Sequence, residues 1–203
     1  MRKGKKQAIR VGEKDAEQTV ETLYDAAIKA LARRARSSGE IRALLARRKA
    51  SKADIEAIIH RLKEHGYLDD TRFARSFVAS RIENRLEGKV RVRRDLAARR
   101  VKPEIADEAV RRGFEDVDEA QLLRQYLQRK LRVSKPLNKP SAVQSLFRRL
   151  LRAGFRSDTI VGELKRLLRG PLSKAAASDE PIRWEELLDS LPETPDPESE
   201  PRA

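Results

Sequence analysis

Arginine is the residue type in this sequence best suited to chemistry, because it recurs in pairs and triplets. A guanidinium group is planar and permanently charged, and it donates two parallel hydrogen bonds to a phosphate or a carboxylate. Clusters of arginine are not needed for a helix to form or to pack. We therefore predict that some of them contact an anionic partner, whereas others only keep the surface solvated. The candidate partner- or DNA-binding residues are Arg33, Arg34, Arg36, Arg42, Arg72, Arg75, Arg81, Arg91, Arg93, Arg94, Arg99, Arg148 and Arg149.

Other reactive side chains do not form a catalytic or metal-binding pattern. His60 and His65 lie five residues apart on one predicted helix, so they face different directions, and no third ligand is near them in the sequence. The absence of cysteine excludes disulfides, thiol nucleophiles and cysteine-bound zinc. No glycine precedes a Lys-Ser or Lys-Thr pair, as a phosphate-binding loop requires. The sequence predicts a non-enzymatic protein without catalytic residues, metal or cofactor.

Helices must position these arginines. Ile55, Ile58, Ile59 and Leu62 follow the spacing of one buried helical face, and alternating strand patterns are missing. Charged residues make up 38% of the chain and aromatic residues 4%, so large apolar groups are too few for one thick core. We therefore predict an all-α fold, an elongated array of small helical units.

Three stretches of the sequence resemble one another. In each stretch, a leucine is followed five residues later by an apolar residue, and an isoleucine then opens the next helix. These positions are Leu45, Leu96 and Leu150, then Ala50, Val101 and Phe155, then Ile55, Ile105 and Ile160. Chance similarity between leucine-rich helices is the alternative, but the shared turn position favours repeats. We predict three three-helix repeats at residues 18–68, 69–117 and 118–170.

Charge is distributed unevenly along the chain. The net charge is +14, yet residues 179–203 contain nine acidic and two basic residues, so the residues before them carry +21. Such an excess favours phosphate backbones or acidic protein surfaces as partners. Residues 1–17 are predicted to form a flexible basic arm. Residues 171–203 are predicted to form a disordered, proline-rich acidic tail with a possible short helix near 182–191, which either docks on the third repeat or binds a partner.

The acidic tail suggests a further hypothesis. Its acidic residues are expected to screen the basic face and weaken nonspecific DNA binding.

The sequence contains no membrane or secretion signal. No apolar run reaches the length of a membrane helix, and no apolar segment follows the basic N-terminal residues as in a secretory signal. We expect a soluble, cytoplasmic protein with no membrane partner.

The most distinctive segment is GYLDDTRFARSFVASR, from Gly66 to Arg81. Gly66 is predicted to end a helix in the left-handed conformation, and Tyr67 and Leu68 to fold back onto apolar residues. Asp69 or Asp70 is predicted to cap the next helix. The structural signature consists of Gly66, Tyr67, Leu68, Asp69, Asp70, Phe73, Ala74 and Phe77.

This segment resembles the signature of the RecX family of recombinase regulators. Further similarity lies in the order Gly88, Arg91, Val92, Asp95, Leu96, Arg99 and Val101, in the upstream run from Arg36 to Arg42, and in Gly154-Phe155. The resemblance covers about residues 20–169. Lys49 and Arg100 replace the glycine that the family usually has at the turns of its first two units. We therefore expect those two turns to be tighter or differently shaped.

The resemblance implies three tandem three-helix units and a function in recombination and DNA repair. Proteins of this family bind RecA filaments on single-stranded DNA and limit their ATPase and strand-exchange activity. The expected partner is the RecA filament, in which the arginines would contact acidic recombinase surfaces, single-stranded DNA directly, or both, and the chain is expected to be a monomer. The alternative is a direct DNA-binding protein of the helix-turn-helix or single-strand-binding type. However, the basic residues spread over all three repeats, and the chain contains only nine aromatic residues for base stacking.

Overall fold

The structure is a computed structural model that describes residues 19–130 and 139–169. Every regular element in these two ranges is helical, which confirms the predicted all-α class. The helices are α1 (Val20–Arg33), α2 (Ser38–Arg47), α3 (Lys52–Glu64), α4 (Asp70–Ser80), α5 (Lys89–Ala98), α6 (Pro103–Gly113), α7 (Glu119–Lys130), α8 (Pro140–Arg152) and α9 (Ser157–Arg169). One π-helical turn, Arg81–Arg85, continues directly from α4.

Short polar residues and prolines begin several of these helices. The side chains of Thr19, Ser51 and Asp69 each accept a hydrogen bond from a backbone N–H in the first turn of α1, α3 and α4, respectively. These contacts satisfy donors that a helix start leaves unpaired. Pro103 and Pro140 occupy the first turns of α6 and α8, where a missing N–H has no consequence.

The three sequence repeats share one turn geometry. The backbone N–H groups of Ala50, Val101 and Phe155 each donate to the carbonyl of the leucine five residues earlier, at 3.2–3.3 Å. The residue before each of them is left-handed, with φ of +60° at Lys49, +58° at Arg100 and +93° at Gly154. The expectation that the first two turns differ from the third is therefore wrong. The hydrogen bonds of the helix ending impose the left-handed residue, and Lys49 and Arg100 adopt it despite their Cβ atoms.

Lys49→Gly is expected to raise the free energy of unfolding by about 1 kcal/mol, because a left-handed residue with a Cβ atom is strained by about 1–2 kcal/mol. Lys49 is exposed, so the substitution removes little packing. Urea denaturation followed by circular dichroism measures the change. Ala46→Gly, an exposed position inside α2, is the control and should destabilise by about 0.5–1 kcal/mol. Destabilisation by Lys49→Gly would contradict the strain argument.

The described residues form two compact units with small apolar cores rather than one thick core. The first unit contains residues 19–36 and Glu40–Leu68, and its most buried side chains include Leu23, Ile41, Leu45, Ile58 and Leu62. The second unit contains residues 37–39, 69–130 and 139–169 and has two cores. One includes Val78, Val92, Leu96 and Val110, and the other includes Leu123, Phe147, Leu150, Phe155 and Leu164.

In the second unit, the start of α5 packs directly on the turn after α8. The N–H of Gly88 donates to the carbonyl of Ala153 at 2.9 Å, and the N–H of Val90 donates to the carbonyl of Gly154 at 3.2 Å. A Cβ atom on Gly88 would lie 2.2 Å from the carbonyl oxygen of Gly154. The two backbones can approach this closely only because both positions are glycine.

A similar contact joins residues 37–39 to the turn after α5. The hydroxyl of Ser37 donates to the carbonyl of Arg99, and a Cβ atom on Gly39 would lie 2.2 Å from the carbonyl oxygen of Arg100. Both contacts lie within the second unit, and in each of them a glycine approaches the backbone of a left-handed turn. This recurrence supports the prediction of a helical repeat array.

Three predictions concern residues outside the described ranges. They are the basic arm at residues 1–17, the acidic tail at residues 171–203 and the possible helix near 182–191. The boundaries of the three repeats also stay predictions. Among residues 19–130 and 139–169, none of the helices combines the length and the apolar composition that a membrane-spanning segment needs.

Candidate polyanion interface

The arginines of the first unit mostly form contacts within the protein. Arg34 pairs with Glu40 at 2.9 Å, and Arg42 donates two hydrogen bonds to Glu56 at 2.7 and 3.0 Å. The Nε atom of Arg36 donates to the carbonyl of Ala30 at 3.2 Å. Arg33 is exposed and has no ion pair with another residue that the structure describes. Arg33 is therefore the arginine of this set most available to a partner.

Arg81 is half-buried and forms its contacts within the protein. Its guanidinium lies 4.5 Å from the centre of the Phe77 ring and pairs with Glu87 at 3.2 Å and with Asp95 at 3.3 Å. The side chain is only 20% exposed. Such a half-buried, doubly paired guanidinium links the π-helical turn to α5. We therefore assign Arg81 to the fold rather than to the candidate interface.

Three more predicted arginines face acidic or aromatic neighbours in the second unit. The Nε atom of Arg91 lies 2.9 Å from Asp95, and Arg93 lies 4.0 Å from Asp107. The guanidinium carbon of Arg99 lies 5.5 Å from the centre of the Phe73 ring. These contacts hold the three side chains close to α4–α6, and the charges of Arg91 and Arg93 are partly compensated.

The remaining predicted arginines of the second unit are exposed. They are Arg72, Arg75, Arg94, Arg148 and Arg149, on α4, α5 and α8. Arg75, Arg94, Arg148 and Arg149 have no ion pair with another residue in the described ranges. Uncompensated guanidinium groups at exposed positions attract an anionic partner more strongly than paired ones do. Arg75, Arg94, Arg148 and Arg149 are therefore the best candidates in this unit.

Two arginines on α6 are exposed but paired with a carboxylate, so they are less available to an anionic partner. Arg111 and Arg112 both hydrogen-bond to Glu108. The hydrogen bond from Arg111, reinforced by the one from Arg112, lowers the pKa of Glu108 below its usual value. Glu108 therefore stays ionised and partly compensates both cations, which makes Arg111 and Arg112 suitable control positions.

Sequence reasoning missed two arginines that lie beside Arg149. Arg85 and Arg152 line a cleft of about 580 Å³ together with Arg91 and Arg149. The spacing of Arg149 and Arg152, three residues apart on α8, was a signal that they share a face. No comparable signal existed for Arg85, because its position depends on the π-helical turn.

The signature segment is mainly structural, and one prediction about it is wrong. Gly66 has φ of +71° and Leu68 is buried, as predicted. Asp69 is the residue that caps α4. Tyr67, however, is 54% exposed and does not fold back into the core. Its ring lies at the surface 6.2 Å from that of His65, because only the next residue, Leu68, points inward after the left-handed turn.

The remaining signature residues pack inside the second unit. Asp70 is buried, and its Oδ1 atom accepts the backbone N–H of Ser38 at 2.7 Å. Ala74 is fully buried, and the half-buried rings of Phe73 and Phe77 stack with their centres 6.1 Å apart. The second aspartate thus connects two distant segments of the sequence.

The histidines occupy separate environments. The Nδ1 atom of His65 lies 3.3 Å from the hydroxyl of Tyr24, and that of His60 lies 3.1 Å from Glu64. In the part of the chain that the structure describes, no three or more His, Cys, Asp or Glu side chains are grouped to hold a metal ion.

Comparisons with known proteins show two family matches. Residues 24–62 match the model described as the first three-helix domain of RecX, and residues 69–110 match the second. The regulatory protein RecX of Halorhodospira halophila is 33% identical over 141 residues, which cover 69% of this chain and 84% of that protein. The regulatory protein RecX of Chromohalobacter salexigens is 41% identical over 89 residues, which cover 44% and 58%, respectively.

A solved structure shows similarity in fold. The crystal structure of RecX from Lactobacillus salivarius superposes with a TM-score of 0.58 at 20% sequence identity. The match covers 73% of this chain and 96% of that one. At this level of identity the similarity concerns the arrangement of helices alone.

Proposed function

Since the chain belongs to the RecX family, we propose that it regulates homologous recombination by binding RecA filaments on single-stranded DNA. The observation that carries this proposal is the similarity to a regulatory protein RecX over 84% of that protein's length. The regulator acts without catalysing a reaction, as a cytoplasmic monomer, and limits the ATPase and strand-exchange activity of the filament.

The surface chemistry supports this function. Arg33, Arg75, Arg94, Arg148 and Arg149 are exposed and unpaired within the described ranges. A filament presents repeated protomers and a phosphate backbone, so several weak contacts from one chain add through high local concentration. The exposed arginines are suited to acidic protein surfaces, to DNA phosphates or to both.

The unmodified protein is expected to lower the DNA-dependent ATPase rate of its cognate recombinase at less than one regulator per recombinase protomer. Arg75→Glu and Arg94→Glu should each raise the concentration for half-inhibition about 3- to 10-fold, because each replaces an attractive charge with a repulsive one. Arg111→Glu, at a position already paired with Glu108, is the control and should change it less.

Two results would count against the proposal. The first is full ATPase activity with an equimolar amount of the unmodified protein at low salt. The second is a large preference for one duplex sequence in gel-shift titrations, which would favour a transcription factor over a filament regulator.

A further inference from the structure

An open cleft in the second unit lies where the π-helical turn, α5, α7 and α8 meet. Its volume is about 580 Å³, within the range of about 300–1,000 Å³ that is usual for ligand sites. The residues that line it include Arg85, Glu87, Arg91, Tyr126, Arg149 and Arg152. Residues from distant parts of the sequence thus converge on one concave surface.

The charges around this cleft are mostly uncompensated. Among the lining residues that the structure describes, Glu87 is the single carboxylate, and it pairs with Arg81. Arg91 is held by Asp95. Arg85, Arg149 and Arg152 form no ion pair with any residue in the ranges 19–130 and 139–169. Three free guanidinium groups therefore border a cleft whose carboxylate is already engaged.

The backbone geometry after α4 positions the guanidinium group of Arg85 at the cleft. The π-helical turn ends at Arg85, and the next residue, Leu86, is left-handed with φ of +55°. Leu86 is 3% exposed and belongs to the apolar core of α7–α9, whereas Arg85 remains exposed at the cleft. π-Helical turns are rare and are found frequently at functional sites. The local conformation thus separates a core residue from a cleft residue.

We propose that this cleft is a phosphate-binding site that holds adjacent phosphate groups of one ligand, either a nucleic-acid strand or a nucleoside polyphosphate. A phosphate offers several acceptor oxygens to more than one guanidinium group, and a concave surface with donors on different helices fits that geometry. A single carboxylate also accepts hydrogen bonds from two arginines in this protein, as Glu108 does from Arg111 and Arg112, so an acidic peptide is the competing ligand. The proposal does not depend on recombinase binding.

The test uses the full chain and a fluorescein-labelled oligothymidylate, with binding followed by fluorescence anisotropy over a range of salt concentrations. The double variant Arg149→Gln/Arg152→Gln should bind about 10- to 100-fold more weakly. It should also show a salt dependence that is shallower by about 1.4 in log–log slope, since each lost phosphate contact on a single strand removes about 0.7. Both residues are exposed and unpaired, so the fold should persist, as circular dichroism will verify.

Arg111→Gln/Arg112→Gln is the matched control because it removes the same charge from the same unit at positions paired with Glu108. It should weaken binding less than about threefold. Equal weakening by both double variants would overturn the proposal, since it would indicate attraction to overall charge. Absence of binding between the unmodified protein and any phosphate ligand would also overturn it.

Competition distinguishes the ligand sources. If the double variant Arg149→Gln/Arg152→Gln lost affinity for the oligonucleotide but kept its affinity for ATP and tripolyphosphate, the ligand of the site would be a nucleic-acid strand. If it lost affinity for ATP and tripolyphosphate but kept its affinity for the oligonucleotide, the ligand would be a free polyphosphate. Polyglutamate that competes as well as tripolyphosphate would overturn the proposal in favour of an acidic peptide site. These measurements contain no recombinase, so a failure of the ATPase prediction would leave their result standing.

Discussion

Gly154→Ala is expected to lower the free energy of unfolding by about 2–5 kcal/mol and the melting temperature by about 5–15 °C. Two causes act together. Gly154 has φ of +93°, which strains a residue with a side chain. A Cβ atom there would also lie 2.3 Å from the backbone nitrogen of Arg91 and 2.7 Å from the carbonyl oxygen of Gly88. Since these are backbone atoms, relief requires α5 to move and weakens the hydrogen bonds at this contact.

Gly88→Ala separates the two causes. Gly88 has φ of −76°, so alanine there is not strained, yet its Cβ atom would meet the carbonyl of Gly154 at 2.2 Å. We expect a smaller loss of stability, about 1–3 kcal/mol. Gly162→Ala is the control, because Gly162 is exposed in α9 with nothing within 4 Å of the added atom. It should stabilise by about 0.5–1 kcal/mol.

Thermal and urea denaturation followed by circular dichroism measure all three variants. If Gly154→Ala were as stable as Gly162→Ala, the close approach of α5 to the turn after α8 would be wrong. If Gly88→Ala were the more damaging of the two, crowding rather than backbone strain would dominate at this contact.

The repeat pattern allowed much of the fold to be predicted. Leu45, Leu96 and Leu150 are fully buried, and each is followed by the same turn. The left-handed conformation at Lys49 and Arg100 was not predicted, because their side chains disfavour it. The hydrogen bonds of the helix ending outweigh a strain of about 1–2 kcal/mol per residue, which residue preferences alone cannot indicate.

The candidate interface was less predictable than the fold. Sequence reasoning selected arginines by their clustering, but clustering does not reveal whether a carboxylate is near. Arg81 and Arg91 both reach Asp95, and Arg42 reaches Glu56, fourteen residues away. Arg85 was overlooked because a π-helical turn changes the side-chain direction that an α-helix would give.

The sequence pattern at the start of α4 does not show which of two adjacent aspartates caps the helix and which one accepts a long-range hydrogen bond. The sequence predicts that Asp69 or Asp70 caps α4, and the structure assigns capping to Asp69, which is exposed and accepts the N–H of Arg72 at 2.9 Å. Asp70 is 8% exposed and accepts the N–H of Ser38, thirty-two residues earlier. Two adjacent carboxylates therefore satisfy donors in different parts of the unit.

Asp70→Ala is expected to lower the free energy of unfolding by about 2–3 kcal/mol, because it leaves the buried N–H of Ser38 without its charged acceptor. Asp70→Asn keeps an acceptor oxygen at the same place and should lose about 1 kcal/mol or less. Asp69→Ala, the adjacent control, removes an exposed cap and should lose about 1 kcal/mol.

Urea denaturation monitored by circular dichroism gives the order of the three variants, and hydrogen exchange of the Ser38 amide reports on the contact itself. In Asp70→Ala this amide should exchange faster than in Asp69→Ala, since only the former removes its acceptor. A loss from Asp70→Ala no larger than that from Asp69→Ala would show that both carboxylates only begin the helix. The long-range hydrogen bond would then contribute little, and the start of α2 would be held mainly by the contacts of Ser37 and Gly39 with the turn after α5.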